Sequence, residues 1–225
     1  FVEAKAMQLP PNVRVFCNEI GAGVGPEGVY PIWPWSGAIT LSDAFGAEKL
    51  RAFNETLPLP YREVYICSET HLTEFDASFL TTLTNITVSH MKDCALTVPT
   101  SVVRLTMNVT ATNMTVSGTD NLTYLHVQSG SVTTSPCPVL RELAWRGTTF
   151  SEKTAPFPVS QATRLAALRV IGKAIDPDFR FPCGLTRLFL DIYGEPVDIT
   201  ALTGLTRLKT LFIDARNNTE PLDLA

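Results

Sequence analysis

The chain has 225 residues, of which 45% are hydrophobic and 18% charged, and its formal net charge is -4. This is apolar material for one sizeable core in a single elongated domain, and it excludes the strongly basic surface that nucleic acid requires. No run of 18 or more apolar residues occurs, which excludes a membrane-spanning helix of that kind, and the absence of a charged and apolar leader implies that any signal peptide has been removed.

Residues 1–60 are punctuated rather than periodic. Val13, Val15 and Cys17 alternate as a strand should, Gly21 to Gly28 make a glycine-rich turn, and Pro31, Trp33, Pro34 and Trp35 form a compact aromatic knot. The glycines lack the lysine and the helix of a phosphate-binding loop, so they are assigned to a turn. Helical spacing through Ala44, Phe45, Leu50 and Phe53 predicts a helix over 42–53. The segment is expected to cap the core of the downstream repeats, with Trp33 and Trp35 covering its end.

From residue 61 to 225 a pattern Leu-x-x-Leu-x-Leu recurs. It is clearest at Leu185, Leu188, Leu190 and again at Leu208, Leu211, Ile213. Looser copies stand at Tyr61/Val64/Ile66, Leu83/Ile86/Val88, Val102/Leu105/Met107, Leu122/Leu125/Val127, Leu140/Leu143/Trp145 and Leu165/Leu168/Val170. The middle residues are separated by 22, 19, 20, 18, 25, 20 and 23 positions. Residues two apart on a strand point the same way, so each copy reads as a short strand with one apolar edge that only a stacked neighbour can bury. The count gives eight stacked turns.

The triplets and their spacing of roughly 20–29 residues resemble leucine-rich-repeat proteins. The resemblance implies an α/β solenoid, mostly parallel β on the concave face, with irregular convex connectors. Together with the capping segment and the N-x-Thr sequons, it also resembles the ectodomains of Toll-type recognition receptors, which implies a protein ligand or co-receptor in innate-immune or developmental recognition. No cysteine cap follows Leu224 and the sequence stops in mid-turn, as a fragment of a longer, anchored ectodomain would. A right-handed parallel β-helix is the closest competing fold.

Six of the nine asparagines, Asn54, Asn85, Asn108, Asn113, Asn121 and Asn217, stand in the N-x-Thr pattern of glycan acceptors, which predicts a secreted or cell-surface chain bearing N-linked glycans. Five cysteines fit that compartment. A Cys17–Cys67 bridge would staple the cap to the first turn. Cys94 and Cys137 fall two turns apart, about 10 Å, which is too far for a disulfide without a long loop or another register. Cys183 is expected to be the unpaired one, buried as a small apolar filler.

The solvent-facing side of the strands divides in two. Upstream it holds Tyr65, Asn85, Thr87, Asn108, Tyr124 and His126, with two sequons on or beside it. Downstream it mixes aromatics with both signs of charge, Glu142 included, and the candidate ligand patch is Arg141, Trp145, Arg146, Arg169, Arg187, Phe189, Asp191, Lys209, Phe212 and Asp214. No enzyme motif occurs, the three histidines fall on different turns, and neither a cofactor nor a metal site is expected. Asp191 and Asp214 occupy equivalent positions one turn apart, which a β-helical polysaccharide-acting enzyme would use, but Arg187 and Lys209 on the same turns favour an ion-paired ladder. A glycan-bearing coat or adhesion protein of a pathogen is the alternative from another class.

Overall fold

The computed structural model describes residues 15–17, 29–31, 37–41, 62–68 and 73–215, apart from 90, 92, 110–112, 129, 130, 196 and 198. β1 (Val15–Cys17), where the alternation predicts a strand, pairs antiparallel with β2 (Val29–Pro31) beyond the glycine-rich segment. β3 (Gly37–Leu41) and β4 (Glu63–Ser68) then pair in parallel. The chain continues as β5 (Glu74–Asp76), β6 (Asn85–Ser89), β7 (Ala95–Thr97), β8 (Arg104–Asn108), β9 (Met114–Ser117), β10 (Tyr124–Gln128) and β11 (Val132–Thr134). After these come β12 (Glu142–Arg146), β13 (Thr149–Phe150), β14 (Ala167–Gly172), β15 (Ala174–Ile175), β16 (Arg187–Ile192) and β17 (Thr210–Ala215).

The main sheet has nine parallel strands in the order β3-β4-β6-β8-β10-β12-β14-β16-β17. Six consecutive main strands, β4 to β14, are each followed by a short second strand. Of these, β5, β7, β9 and β11 form a second parallel sheet, and β13 pairs with β15. The fold is therefore a parallel β-solenoid of about six turns with little helix, the described helical segments being 3-10 turns at Val159–Gln161 and Ile199–Leu202. This departs from the expectation of eight turns with irregular convex connectors: about six turns close, and much of the return path is itself parallel sheet. The cause is local, since these connectors carry Phe75, Leu96, Met114, Val116 and Val132 at alternating positions in short β-branched and threonine-rich runs.

All eight expected middle residues stand in one row. Val64, Ile86, Leu105, Leu125, Leu143, Leu168, Leu188 and Leu211 are partners from strand to strand across the sheet. From Ile86 to Leu188 they are buried, as are the triplet residues beside them, and they share one core with Phe75, Leu96, Val116 and Val132 of the second sheet. Each such aliphatic residue contributes about 1.5–3 kcal/mol by leaving water. Leu211, in the last strand, is 39% exposed. The sequence count begins one strand late, because β3 places Gly37 opposite Val64 and a glycine gives no apolar signal.

A second ladder runs beside the apolar one. Just before each main strand, two consecutive N–H groups donate to one carbonyl of the preceding turn: Thr84 and Asn85 to Arg62, Val103 and Arg104 to Thr84, Thr123 and Tyr124 to Val103, and so on to Lys209 and Thr210 to Thr186. The hydroxyls of Thr84, Thr123 and Thr186 add a third bond to the same carbonyls, at 3.2, 3.1 and 3.0 Å. The Leu-Thr pair that opens these repeats thus joins a buried side chain to a donor that locks register.

Cys94 and Cys137, whose pairing the spacing leaves to a long loop or another register, are buried and unbridged. Cys183 is exposed, contrary to the expectation of a buried filler: it sits in the turn Pro182–Gly184, where Pro182 and Leu185 take the inward positions. The side chains of Cys17 and Cys67 lie outside the described residues. Burial pushes the Cys94 thiol up to about 11, helped by nearby Glu74, and burial also raises Cys137. In native protein a maleimide is expected to label Cys183 within minutes at pH 7, while Cys94 and Cys137 react only after denaturant is added; mass mapping of labelled peptides checks this.

Candidate recognition groove on the main sheet

Three rows of side chains cross the outward face of the main sheet. The first runs Asn85, Arg104, Tyr124, Glu142, Ala167, Arg187, Thr210; the second Thr87, Thr106, His126, Ala144, Arg169, Phe189, Phe212; the third Asn108, Gln128, Arg146, Ile171, Asp191, Asp214. Between His126 and Arg169, and between Glu142 and Arg187, stand alanines. Their short side chains open a groove of about 570 Å³ over β10 to β17, walled by Tyr124, His126, Gln128, Arg146, Arg169, Arg187, Phe189 and Phe212.

The walls are braced by specific contacts. Phe189 and Phe212 stack with centroids 4.4 Å apart and planes 7° from parallel, and the Arg169 guanidinium lies 4.5 Å over the Phe189 ring. Phe212 nevertheless remains 47% exposed. On the opposite wall Arg104 lies 4.1 Å over the Tyr124 ring. Arg187 reaches over Ala167 to Glu142 at 2.7 Å, a pair two strands apart that a larger residue at 167 would block. Both partners are substantially exposed, so the bridge positions them more than it stabilises the fold.

Burial lowers the His126 pKa first, and the positive charges of Arg169 and Arg146 lower it further. The neighbouring strands contribute Arg104 and Glu142 as well. The consequence for stability has a definite sign. As pH falls through the ordinary histidine range the unfolded chain takes up the proton before the folded one, so stability falls with acidification, and levels off once folded His126 has titrated. His126→Gln should flatten that part of the profile relative to wild type, as read from denaturation midpoints between about pH 4.5 and 7.5.

Of the ten residues expected in the ligand patch, Arg146, Arg169, Arg187, Phe189 and Phe212 converge on the groove. Trp145 is corrected: it is 4% exposed, turned inward with its ring 5.1 Å from Phe150, and gives the groove only part of its floor. Arg141 and Lys209 are exposed in the turns before β12 and β17, outside the lining. Asp191 and Asp214 face each other in register, as their spacing predicts, but also outside it. The pairing of Arg187 is with Glu142 rather than with a carboxylate of its own turn. The division into halves places Tyr124 and His126 upstream, whereas the groove takes them in; Gln128, Ala144, Ala167 and Ile171 carry no signal in the sequence that marks them as lining. His71, His90, Asn54, Asn217 and the Tyr65 side chain lie outside the described residues.

Four sequon asparagines are described. Asn85 and Asn108 stand on the outward face upstream of the groove, Asn108 directly opposite Gln128 of the next main strand. Asn113 precedes the second-sheet strand β9 and Asn121 sits in the turn before β10, both exposed. The amide of Asn85 donates to Glu63 and that of Asn121 to the Thr100 carbonyl at 2.8 Å. Among the described residues no helix is long and apolar enough to cross a membrane. Compared with protein-family models, with curated proteins and with solved structures, the chain matches none.

Proposed function

We propose that the chain is the recognition module of a secreted or cell-surface glycoprotein, and that a protein ligand or co-receptor docks in the groove over β10 to β17. The observation that carries this reading is the convergence of arginines and stacked aromatics on one concavity: Arg169, Phe189 and Phe212 form a continuous shelf beside a floor of alanines. Arginine and aromatic side chains around a desolvated pocket are the make-up of binding hot spots. Asn85, Asn108, Asn113 and Asn121 lie upstream, Asn217 follows β17 in the sequence, and no sequon falls among the groove residues, which is consistent with glycans that leave this surface open. The resemblance of the apolar triplets to leucine-rich repeats supports the same class, of which Toll-type ectodomains are one receptor example. The reading is non-enzymatic.

The test is a binding screen of the purified chain against a panel of multimerised extracellular domains, repeated with the folded double variant Arg169→Ala/Phe189→Ala. Specific binders should lose at least about 30-fold in affinity, the effect of one hot spot. Binders indifferent to the double variant would remove the groove from the account. One observation favours a second reading, a glycan-bearing coat or adhesion scaffold: sequons occur on the main sheet, beside the second sheet and in a turn, at Asn108, Asn113 and Asn121. Glycans occupying all three, together with a screen that yields no binder, would support it.

A further inference from the structure

The charge of the groove runs against that of the chain. The protein carries a net charge of -4, yet the groove gathers Arg146, Arg169 and Arg187 with a single acid, Glu142. Glu142 is engaged by Arg187, which leaves Arg146 and Arg169 without a carboxylate partner among the described residues. These two project from neighbouring strands, offset by two residues: Arg169 is opposite Ala144 and Arg146 opposite Ile171. His126 completes the arrangement from the other side of Ala144; its basicity is depressed first by burial and then by the two guanidiniums. Next to this paired positive charge lies the aromatic shelf, half of it open to solvent.

On the proposed recognition reading, we infer that the groove binds an acidic segment of its protein partner, with an Asp or Glu carboxylate seated between Arg146 and Arg169 and a neighbouring apolar side chain laid on Phe189 and Phe212. Guanidiniums suit this role because their planar donors match a carboxylate two bonds at a time. The balance of groups favours a peptide over a sulfated glycan. A polyanion is held by a file of cations, whereas here two guanidiniums without a carboxylate partner among the described residues are bordered by a carboxylate and by aromatic rings.

The probe is a set of short synthetic peptides, each with one Glu and one Phe or Leu at spacings of one to four residues, with Glu→Gln counterparts and a heparin-type oligosaccharide alongside. Binding to the full chain is followed by calorimetry and by the arginine side-chain and His126 imidazole NMR signals. At least one Glu peptide should bind, its Gln counterpart at least about tenfold more weakly, and Arg146→Gln or Arg169→Gln should each remove that difference. Bound carboxylate should raise the His126 pKa. Ala144→Leu, which fills the floor without altering charge, should abolish binding. Gln peptides that bind as well as Glu peptides, still blocked by Ala144→Leu, would overturn the carboxylate inference and leave the recognition groove standing. Glu peptides that bind regardless of Ala144→Leu would overturn both. Binding of the oligosaccharide alone would replace the acidic segment with a sulfated glycan, and no binding by any probe would also overturn the inference.

Discussion

Phe150→Ala is expected to destabilise the solenoid by about 3–5 kcal/mol, the largest effect of any single truncation in the described core. Phe150 is fully buried and lies in β13, the short strand after β12. Its ring meets Trp145 at 5.1 Å and Phe179 at 4.8 Å, and Phe179 in turn meets Phe181 edge-on at 5.0 Å. The cluster spans two turns and lies beneath β12 and β14, which carry Arg146 and Arg169. Removing the central ring takes away its own transfer energy and both aromatic contacts, and β13–β15 pairing holds the site too firmly to collapse onto the void. For a chain of this length the loss corresponds to a fall of roughly 6–20 °C in the thermal midpoint. Phe181→Ala, at the half-buried end of the chain of rings, should cost clearly less. Equal midpoints for Phe150→Ala and wild type would mean that the aromatic cluster does not hold these turns.

Gly118→Ala should cost roughly 2–4 kcal/mol although it adds only a methyl group. Gly118 comes directly after β9 with φ at 80°, the left-handed region, and a methyl there would stand 2.2 Å from the Val98 carbonyl oxygen. Neither neighbour can give way easily: the Val98 N–H is bonded to the Ser117 carbonyl at 3.0 Å, and Val98 itself is buried. Backbone strain and overlap with backbone therefore add at one position. Gly204→Ala is the matched control, since a methyl there meets nothing within 4 Å. It should change stability by less than about 0.5 kcal/mol. Chemical denaturation of both variants decides the matter, and a Gly118→Ala protein as stable as the control would contradict the tight turn.

These two positions also mark the limits of what could be read from the sequence. The main ladder was legible because its period is enforced: each inward residue must cover the same residue of the next turn, so Ile86, Leu105, Leu125 and Leu188 recur at nearly constant spacing. The second sheet was not, because strands of three or four residues such as Glu74–Asp76 or Val132–Thr134 are too short for alternation to accumulate. Gly118 looks like any loop glycine until φ is known. The arginines and phenylalanines of the groove were visible as outward residues between apolar ones, but its depth comes from Ala144 and Ala167, and a missing side chain leaves no chemical signature. Trp145 misled for the opposite reason: its size and polar edge suit a binding surface, while its place in the triplet sends it inward.

The most direct test of the groove is an alanine scan of the outward face against the tightest binder from the extracellular panel, with folding of each variant verified by thermal midpoint. The losses are expected to concentrate on Arg146, Arg169, Phe189 and Phe212, with Thr87, Thr106 and Asn108 upstream and Thr133 on the second sheet nearly silent. Losses centred on those upstream or second-sheet positions, with the four groove residues silent, would contradict the account.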